Sequence, residues 1–485
     1  MTAAMDDRTS TLVLDIGKSN AKLVLIAADG RVMRSTSVVN ESVQDTAHGF
    51  LALGVARLQD WLLRSVPDLL ADEVPARLSV TTHGAAFCAI ADDGLVLPPI
   101  DYEWDGYDGV TAAFDASLAN FAHHGTPRLG QGLNGGRQID FVQRRWPELA
   151  RRIRYWLPYA QYWSWWLSGV ACTEVSSLGC HTGLWAPAEG RYSDWAIARG
   201  IAERFAPLRP AWDVIGTLRP ALARAWSLPA GVEVLAGVHD SNACLARHLP
   251  THARATVVST GTWCIVMAPG ADAARLAPER DELVNVAVDG RGVPTARFMG
   301  GREFAALCDG ADPALATPHA LAEVMAEGWM ALPSFAEAGG PFAGRTGRIL
   351  RRGAVVDAGV SALPERLRPA LATIYCACLG ALLVDDLAGP DAATTTAPVI
   401  LEGPLAHNLA YGPAMAALLP SRPVLRSMDP LEGTARGAWM LARWRSRVET
   451  TSGDTALQPV VCDDAALAHA VRVHAQAWRA RAALA

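Results

Sequence analysis

Two short polar turns, each between two apolar segments, constrain this chain more than any other feature of its sequence. In the first, residues 11–15 (TLVLD) and 21–27 (AKLVLIA) are predicted as strands joined by a turn that contains Gly17. In the second, residues 257–267 (VVSTGTWCIVM) again have the pattern of strand, polar turn and strand. The two turns lie about half the chain apart. A duplicated domain, with one such hairpin in each copy, would explain this spacing.

Both turns have the composition of an anion-binding hairpin. Gly17 allows a tight turn and is expected to leave backbone N–H groups free to face an anion. The second turn supplies Thr260, Gly261 and Thr262. Two opposed sets of N–H and hydroxyl donors would hold a polyphosphate, with Asp15 binding Mg²⁺ through water. The alternative for the first turn is an ordinary hairpin with a solvated lysine.

The first turn also holds both lysines of the chain. Of 43 basic residues only Lys18 and Lys22 are lysines, and the other 41 are arginines. A lysine is a compact point charge on a mobile stem, which suits a phosphate group that moves during a reaction. We therefore expect both lysines to offset phosphate charge, with Ser19 and Asn20 as further nucleotide contacts in the same turn.

The length of 485 residues favours two domains, which we place at 1–246 and 247–485. The first is expected to hold the first hairpin and a substrate, and the second to hold the second hairpin. A formal net charge of −6 gives no overall attraction to nucleic acid or to an anionic membrane surface.

The apolar segments and the cysteines favour a cytoplasmic protein. The N-terminus lacks the pattern of a signal sequence, and the longest apolar run, 370–384, suits a buried helix better than a membrane span. Nine cysteines without paired spacing suit a reducing compartment. Cys376 and Cys378 lie inside that run and are interpreted as core residues.

Asp240 lies where a predicted strand (232–238) ends and a predicted helix (241–248) begins. Aspartate is favoured as the N-cap of a helix, so a structural role alone would explain it. The functional interpretation makes it the general base that accepts a proton from a substrate hydroxyl as the hydroxyl attacks the γ-phosphorus. Both roles are compatible in one carboxylate.

Residues 130–135 match the pattern GxGxxG, but the segment before them (HHGTPRL) is not strand-like. A dinucleotide site requires a strand directly before the glycines and a helix after them. We therefore set this interpretation aside.

Four segments resemble one family: DIGKSNAK, AGVHDSNACLA, VVSTGTWCIVM, and LEGPLAHN with EGTARGAWMLA. Together they resemble the FGGY carbohydrate kinases of the actin-like ATPase superfamily, and HDSNA followed by STGTW is most similar to the rhamnulose and fuculose kinases. The resemblance implies an α/β fold with two ribonuclease-H-like domains and a deep cleft between them. It places the sugar mainly against the first domain and ATP mainly against the second.

Carried over by position, the resemblance assigns individual roles. Asp15 is the aspartate on the Mg²⁺ side and Asp240 the catalytic base. Residues 260–262 form the second phosphate turn, and Gly403 and Asn408 belong to the adenosine motif.

The sequence also departs from the family. The family usually has threonine where Lys18 stands, so Ser19 is the candidate for the missing hydroxyl. In the adenosine motif, Glu402 replaces a glycine, and Pro404 removes a backbone donor. A nucleotide other than ATP therefore stays open as the donor.

A polyol substrate needs several fixed hydrogen-bond partners and an apolar wall. The segment His83-Gly84-Ala85 resembles the corresponding stretch of xylulose kinases, where it contacts the sugar, although a half-buried histidine on a turn would look the same. Trp104, in the loop 101–108 (DYEWDGYD), is the predicted stacking wall, with a plain surface loop as the alternative. Further predicted sugar contacts are Asn134, Gln138, Gln161 and His239, together with Asp240.

Three functions stay open at this point. The favoured one is an ATP- and Mg²⁺-dependent sugar kinase of the L-rhamnulose or L-fuculose type, with a D-xylulose or L-ribulose type as the alternative. The second is an actin-like nucleotide-binding module without a small acceptor, and the third an inactive relative. The expected partner is a small sugar, without nucleic acid or membrane. The sequence leaves the oligomeric state open, with a homodimer as one candidate.

Overall fold

The computed structural model describes residues 9–118, 120–336, 339–389, 396–429, 433–445 and 457–484, which fold into two compact units. The first unit comprises the described residues up to 247, together with 284–292 and 433–445. The second comprises 248–283, the described residues from 293 to 429, and 457–484. The predicted division into 1–246 and 247–485 did not include the two segments that return to the first unit.

Strands and short helices alternate along the first half of the chain. The strands are β1 (Thr11–Ile16), β2 (Asn20–Ile26), β3 (Val32–Val39), β4 (Val43–Asp45), β5 (Phe50–Ala52), β6 (Arg77–Thr82), β7 (Phe87–Ala91), β8 (Gly94–Leu95), β9 (Tyr155–Pro158), β10 (Trp185–Ala186), β11 (Arg191–Tyr192), β12 (Val214–Thr217), β13 (Glu233–Leu235) and β14 (Val238–His239). The helices are α1 (Val55–Leu70), α2 (Thr111–Ser117), α3 (Phe121–His124), α4 (Gly135–Arg145), α5 (Pro147–Arg152), α6 (Tyr159–Ser168), α7 (Val175–Leu178), α8 (Asp194–Ala198), α9 (Pro220–Ala225) and α10 (Asp240–Ala246).

The central sheet of the first unit has the strand order β12-β13-β6-β1-β2-β3, with β14 also paired to β6. The predicted strands at 11–15 and 21–27 are confirmed as β1 and β2, which form an antiparallel meander with β3. Strand β6 runs parallel to both β1 and β14. All six residues of β1 are buried, as expected of a central strand covered on both faces. Helix α1 packs against this core through Leu58, Leu62 and Val66, which follow a helical spacing.

The second half of the chain repeats this mixed composition. Its strands are β15 (Thr256–Thr260), β16 (Cys264–Met267), β17 (Leu283–Val286), β18 (Gly292–Phe298), β19 (Trp329–Leu332), β20 (Arg348–Arg351), β21 (Ala354–Val355), β22 (Val399–Glu402), β23 (Val424–Ser427) and β24 (Leu457–Val460). Its helices are α11 (Gly300–Cys308), α12 (Pro318–Ala326), α13 (Arg368–Ala388), α14 (Tyr411–Leu418), α15 (Gly433–Leu441) and α16 (Ala465–Leu484).

The main sheet of the second unit includes the order β18-β16-β15-β22-β23-β24. The second predicted hairpin is confirmed as the antiparallel pair β15 and β16, and β15 runs parallel to β22. Helix α13 lies in the core, where Cys376 and Cys378 are buried as predicted. Among the described residues, only the helical stretch Glu365–Ala388 is long and apolar enough to cross a membrane, and 89% of its most apolar window is buried inside the structure.

Three predictions of local structure were wrong in detail. The strand expected at 232–238 is broken into β13 and β14, because Gly237 adopts φ +86° between them. Asp240 is the first residue of α10 and not its N-cap, a position held by His239. The composition of 310–320 predicts a loop, but the segment contains the 3₁₀ turn Pro313–Leu315 and the start of α12. The composition of 387–398 also predicts a loop, and its residues 390–395 lie outside the described residues.

Candidate active site

Three polar side chains lie at or just beyond the ends of β1, β6 and β14, and both β1 and β14 run parallel to β6. In the register of the sheet, β1 pairs Asp15 with Thr81 of β6, and β14 pairs His239 with Thr82. His83 directly follows β6, and Asp240 directly follows β14. Because the carboxyl ends of parallel strands meet at one edge of a sheet, Asp15, His83 and Asp240 lie at the same edge.

The two oxygens of the Asp240 carboxylate have different surroundings. Oδ1 accepts hydrogen bonds from the Ser241 backbone N–H at 2.6 Å and from the Ser241 hydroxyl at 3.2 Å. His239 Nε2 also lies 3.1 Å from Oδ1. Among the described residues, no group is recorded as a hydrogen-bond partner of Oδ2, and the side chain is 26% exposed. The carboxylate is thus held through one oxygen, while the other can accept a proton.

His83 presents an unused acceptor at the same edge. Its Nδ1 lies 2.9 Å from the carbonyl oxygen of Gly84, and since a carbonyl only accepts, Nδ1 carries the proton. Nε2 is therefore a lone pair, buried and without a partner among the described residues. Burial lowers the pKa of His83, opposed by the Gly84 carbonyl and by the charges of Asp240 and Asp101. A neutral imidazole with an unpaired Nε2 suits a hydroxyl donor from a ligand.

Gly84 allows two segments to approach each other beside this histidine. A Cβ at Gly84 would lie 2.9 Å from His239 Nε2 and 3.0 Å from Cys180 Sγ. Any other residue would displace one of these side chains. The predicted His83-Gly84 and His239-Asp240 segments are thereby brought into contact.

Lys18 is paired with the loop at 101–103. Its Nζ donates to the Asp101 carboxylate and, at 2.9 Å, to the Ser42 hydroxyl. It also lies 3.4 Å from Glu103 and 5.3 Å from the centre of the Tyr102 ring. Burial alone would raise the pKa of Asp101, but hydrogen bonds from Lys18, Ser42 and the Glu103 backbone together lower it. The ammonium group therefore fixes a loop of the first unit, and its phosphate role stays a prediction.

The first turn is more closed than expected. The N–H of Gly17 donates to the Asn20 carbonyl at 2.9 Å, so the expectation that Gly17 leaves its own N–H free was wrong. The hairpin closes through this bond, and Asn40 Nδ2 donates to the Gly17 carbonyl at 2.8 Å. Ser19 and Asn20 are exposed at the tip. Lys22 faces Asp15 across β1 and β2.

Asp15 is held by a helix from the far end of the sequence. Its Oδ2 accepts from the Thr434 hydroxyl at 2.7 Å, and the residue is only 6% exposed. Thr434 belongs to α15, which approaches α10 so closely that a Cβ on Gly437 would overlap the carbonyl oxygen of Ala243. The small residues of GTARGAW therefore allow a close approach to the helix that begins with Asp240. Glu432 of this motif lies outside the described residues.

The amide side chains predicted to bind sugar differ in how many of their polar atoms already make hydrogen bonds within the protein. Gln161 donates to the carbonyls of Ala236 and Gly237 at 3.2 and 3.0 Å. Gln138 donates to Ala85 and Gly132 at 2.6 and 2.7 Å. In each of the two glutamines the buried Oε1 has no partner among the described residues. Each glutamine thus fixes a backbone segment and keeps one acceptor.

Asn134 and Trp104 serve the protein itself. Asn134 accepts from Leu129 at 2.9 Å and donates to the carbonyls of Pro127 and His181, each at 3.1 Å, which leaves little capacity for a sugar. Trp104 packs edge-on against Phe50, Tyr107 and Phe141, with ring centres 4.8–6.0 Å apart. Tyr102, from the same loop, contacts His83 at 5.4 Å between ring centres and is a better candidate for an apolar wall.

The second turn is built from backbone approaches within the second unit. A Cβ at Gly301 would overlap the carbonyl oxygen of Gly261, and one at Gly403 would overlap that of Thr260. The Thr260 hydroxyl donates to the Glu402 carbonyl at 2.6 Å and accepts from the Leu405 N–H at 3.1 Å. Thr260 therefore ties this turn to the adenosine motif, while Gly261 is exposed and Thr262 partly exposed.

Two residues of the adenosine motif, Glu402 and Asn408, have structural partners. The Glu402 carboxylate is buried and lies 2.7 Å from His248 Nε2. Asn408 accepts from the N–H groups of Ala410 and Tyr411 at 2.9 and 3.0 Å, so it caps the start of α14. The bulk of Glu402 thus points into the unit toward a histidine.

Some residues of this site carried no signal in the sequence. Ser42, Thr434, Asn242 and Asn285 are short polar residues outside the quoted motifs or without a distinctive spacing. Asp101 and Tyr102 lie within the loop 101–108, whose sequence does not distinguish Tyr102 from Trp104 as the apolar wall. Only the fold brings these side chains to the carboxyl edge of the first sheet.

Comparison with known proteins places this chain in a family. The N-terminal domain model of the FGGY family of carbohydrate kinases matches residues 123–246, and the model described as carbohydrate kinase FGGY, C-terminal domain, matches residues 252–450. The curated L-fuculokinase of Salmonella typhi is 27% identical over 270 residues, covering 53% of this chain. The match spans 56% of that relative, about half its length.

Solved structures agree over the whole chain. A carbohydrate kinase from Novosphingobium aromaticivorans is 33% identical, with a TM-score of 0.82 and 99% of each chain covered. A ligand-bound xylulose kinase from Lactobacillus acidophilus is 14% identical, with a TM-score of 0.79 and 98% of each chain covered, and shows a shared fold. The expected α/β fold with two actin-like ATPase domains is thus confirmed. With both domain models matched in order, and the carboxylate and histidine at one sheet edge, this chain belongs to the FGGY family of carbohydrate kinases.

Proposed function

We propose that this protein is an ATP-dependent sugar kinase that transfers the γ-phosphate of MgATP to a hydroxyl of a ketose or related polyol. The observation that carries the proposal is the carboxylate of Asp240, anchored through Oδ1 and unpaired at Oδ2. A general base needs this combination of fixed orientation and an available lone pair.

In the proposed reaction Oδ2 of Asp240 accepts the proton of the sugar hydroxyl. The oxygen of that hydroxyl forms the new bond to the γ-phosphorus as the bond from phosphorus to the oxygen of the leaving nucleoside diphosphate breaks. His83 Nε2 accepts a hydrogen bond from another hydroxyl of the sugar. The unpaired Oε1 atoms of Gln161 and Gln138 supply further acceptors, and Tyr102 supplies an apolar wall.

The residues fit a nucleotide-bound magnesium ion better than a protein-bound one. In the described part of the chain no group of three or more His, Cys, Asp or Glu residues could hold a metal. Magnesium in phosphoryl-transfer sites is held through one or two carboxylates together with phosphate oxygens and water, and Asp15 meets that need. When bound, the ion would neutralise charge on the phosphates. Ser19, Asn20 and Lys22 of the first turn are the proposed phosphate contacts, together with the second turn; the Gly17 N–H and Lys18 are paired within the first unit.

The proposed substrate class is a ketose of the L-rhamnulose or L-fuculose type. The curated L-fuculokinases and the sequence HDSNA followed by STGTW support it. A D-xylulose or L-ribulose type is the second candidate, because His83-Gly84-Ala85 matches the xylulose-kinase pattern and His83 lies at the proposed site. The carbon that receives the phosphate is left open.

The experiment is a coupled assay of nucleoside diphosphate release with and without rhamnulose, fuculose, xylulose and ribulose. The expected result is MgATP consumption that depends on one or two of these sugars, with a phosphorylated product detected by mass spectrometry. ATP hydrolysis that is indifferent to every sugar would favour the actin-like module. A parallel series with GTP tests whether the Glu402 and Pro404 departures change the preferred donor.

A further inference from the structure

A chain of hydrogen bonds leads from the proposed base into the returning segment 284–292. His239 Nδ1 lies 3.0 Å from Asn242 Nδ2, and the same Nδ2 donates to Asn285 Oδ1 at 3.1 Å. Asn285 Oδ1 also accepts from the Val286 N–H at 3.0 Å. Asn242 and Asn285 are buried, at 1% and 2% exposure. All these groups belong to the first unit.

The direction of every bond in this chain is determined by one backbone donor. The Val286 N–H can only donate, so the atom of Asn285 that it meets is the oxygen. That oxygen can only accept, so the atom of Asn242 facing it is the amide nitrogen. The same nitrogen also faces His239 Nδ1, which must therefore be the lone pair. The proton of a neutral His239 is thus on Nε2.

This proton faces the catalytic carboxylate. His239 Nε2 lies 3.1 Å from Asp240 Oδ1 and 3.3 Å from Cys180 Sγ. With the opposite tautomer, an imidazole lone pair would face the anionic oxygen, which is repulsive. Burial lowers the pKa of His239, with the charge of Asp240 opposing it, so the neutral form is favoured. The N–H therefore helps to hold Oδ1, which leaves Oδ2 for the substrate.

We propose that Asn242 and Asn285 are positioning residues that fix His239 as its Nε2–H tautomer and thereby orient the Asp240 carboxylate for proton acceptance. The proposal rests on the proposed function for the role of Asp240, but the tautomer itself does not. Asn285 has an unexpected place in the sequence, since it lies inside the match to the C-terminal family domain and contacts the helix that begins with Asp240. A relay of this kind acts without touching the substrate.

The test uses the full chain labelled with ¹⁵N-histidine, which contains 12 histidines. His239→Gln identifies the His239 signals by difference. In the wild type the expected spectrum at neutral pH has a protonated Nε2 and an unprotonated Nδ1. Asn242→Asp replaces the donor with an acceptor, so Nδ1 is expected to become protonated. Asn120→Asp, the same change at an exposed residue, is expected to leave the ¹⁵N signals of His239 unchanged.

Kinetics give the second readout. A disturbed outer contact of this kind typically costs about tenfold to a hundredfold in activity. We expect Asn242→Asp and Asn285→Leu to lower kcat by that factor, with the KM for the sugar changed by less than about threefold. Asn285→Asp keeps an acceptor oxygen toward Asn242 and the Val286 N–H, so it should retain more of kcat than Asn285→Leu.

The outcomes separate the two proposals. A wild-type His239 protonated at Nδ1 would overturn the relay whatever the enzyme does, and needs no variant that might fail to fold. Unchanged kcat in both Asn242→Asp and Asn285→Leu would overturn it as well. A wild type with the expected tautomer but no sugar-dependent turnover would contradict the kinase proposal and the catalytic role of the relay. The assignment of the His239 tautomer would be unaffected.

Discussion

The carboxyl edge of the first unit and the turn of the second unit are built in different ways. At the first, side chains converge: Asp240, His83 and Gln161 each keep an unpaired acceptor while their other atoms are fixed by the protein. At the second, Thr260 and Asn408 use their side chains internally, and Gly261, Gly301 and Gly403 allow the backbone to approach itself. The difference teaches that the first unit keeps side-chain acceptors available at its sheet edge, whereas the second unit uses its side chains to shape the backbone of its turn.

The largest expected effect tests the side-chain half of this comparison. Asp240→Asn removes the proposed general base and is expected to lower kcat by about 10²–10⁴-fold, the usual contribution of such a group. Nucleotide affinity should be retained, because the second turn is untouched. Steady-state kinetics and equilibrium titration with ATP measure the two quantities. Asp68→Asn, at an exposed position of α1, is the matched control, and near-normal turnover in Asp240→Asn would remove this residue from its role.

The backbone half is tested by Gly403→Ala. Gly403 has φ +82° and a Cβ there would overlap the Thr260 carbonyl oxygen. Gly310 has the same φ of +82° with nothing within 4 Å of its Cβ position, so Gly310→Ala carries the conformational strain without the clash. We expect about 1 kcal/mol of destabilisation for Gly310→Ala and a clearly larger loss for Gly403→Ala, with ATP affinity reduced only in the latter. Denaturant unfolding and ATP titration measure these effects; equal losses in the two variants would show that the close approach is unimportant.

Lys18→Met tests whether Lys18 supports the sugar side of the first unit or contacts the phosphates of ATP. Its removal leaves the buried Asp101 carboxylate without its cation, which should cost about 1–3 kcal/mol of stability. We expect the KM for the sugar to rise by about tenfold, corresponding to about 1.4 kcal/mol, because the 101–103 loop loses its anchor beside His83. The KM for ATP should change less. Arg57→Met, which breaks an exposed ion pair with Glu41, is the control. A larger change in the KM for ATP would support the original phosphate prediction.

Acid stability provides a comparison between the two units that does not depend on the proposed reaction. Burial lowers the pKa of His124 in the first unit to about 4, helped by the charge of His123, and burial lowers the pKa of His474 in the second to about 4. Below pH of about 6.5 the unfolded chain binds a proton at each position and the native chain does not. The free energy of unfolding should therefore fall as the pH drops from about 6.5 to about 4.

His474→Gln isolates one of these two contributions. The variant is expected to reduce the slope of unfolding free energy against pH by up to about 1.4 kcal/mol per pH unit below pH 6. Denaturant melts at several pH values measure this slope. His319→Gln, at an exposed residue of α12, controls for the loss of a histidine, and an unchanged slope in His474→Gln would contradict the assignment.

The sequence predicted backbone elements better than side-chain roles, for a physical reason. Strand alternation and turn glycines are local, so β1, β2, β15 and β16 could be read directly. Contacts such as Thr434 with Asp15 join residues that are distant along the chain and leave no local pattern. The position of Asp240 at the edge of the sheet could be predicted because it lies between a strand pattern and a helix pattern, within the segment HDSNA. The partner of Lys18 could not, since nothing in the sequence relates it to Asp101 and Ser42.

The two returning segments have a consequence for how such genes can recombine. A chimaera that joined residues 1–247 to the second half of a relative would exchange Thr434 and Asn285 for whatever that relative carries there, although both contact residues of the retained half. A crossover at the apparent midpoint thus separates residues that contact each other in the proposed active site. A chimaera that preserves function should take residues 1–247, residues 284–292 and the helix Gly433–Leu441 from the same parent protein.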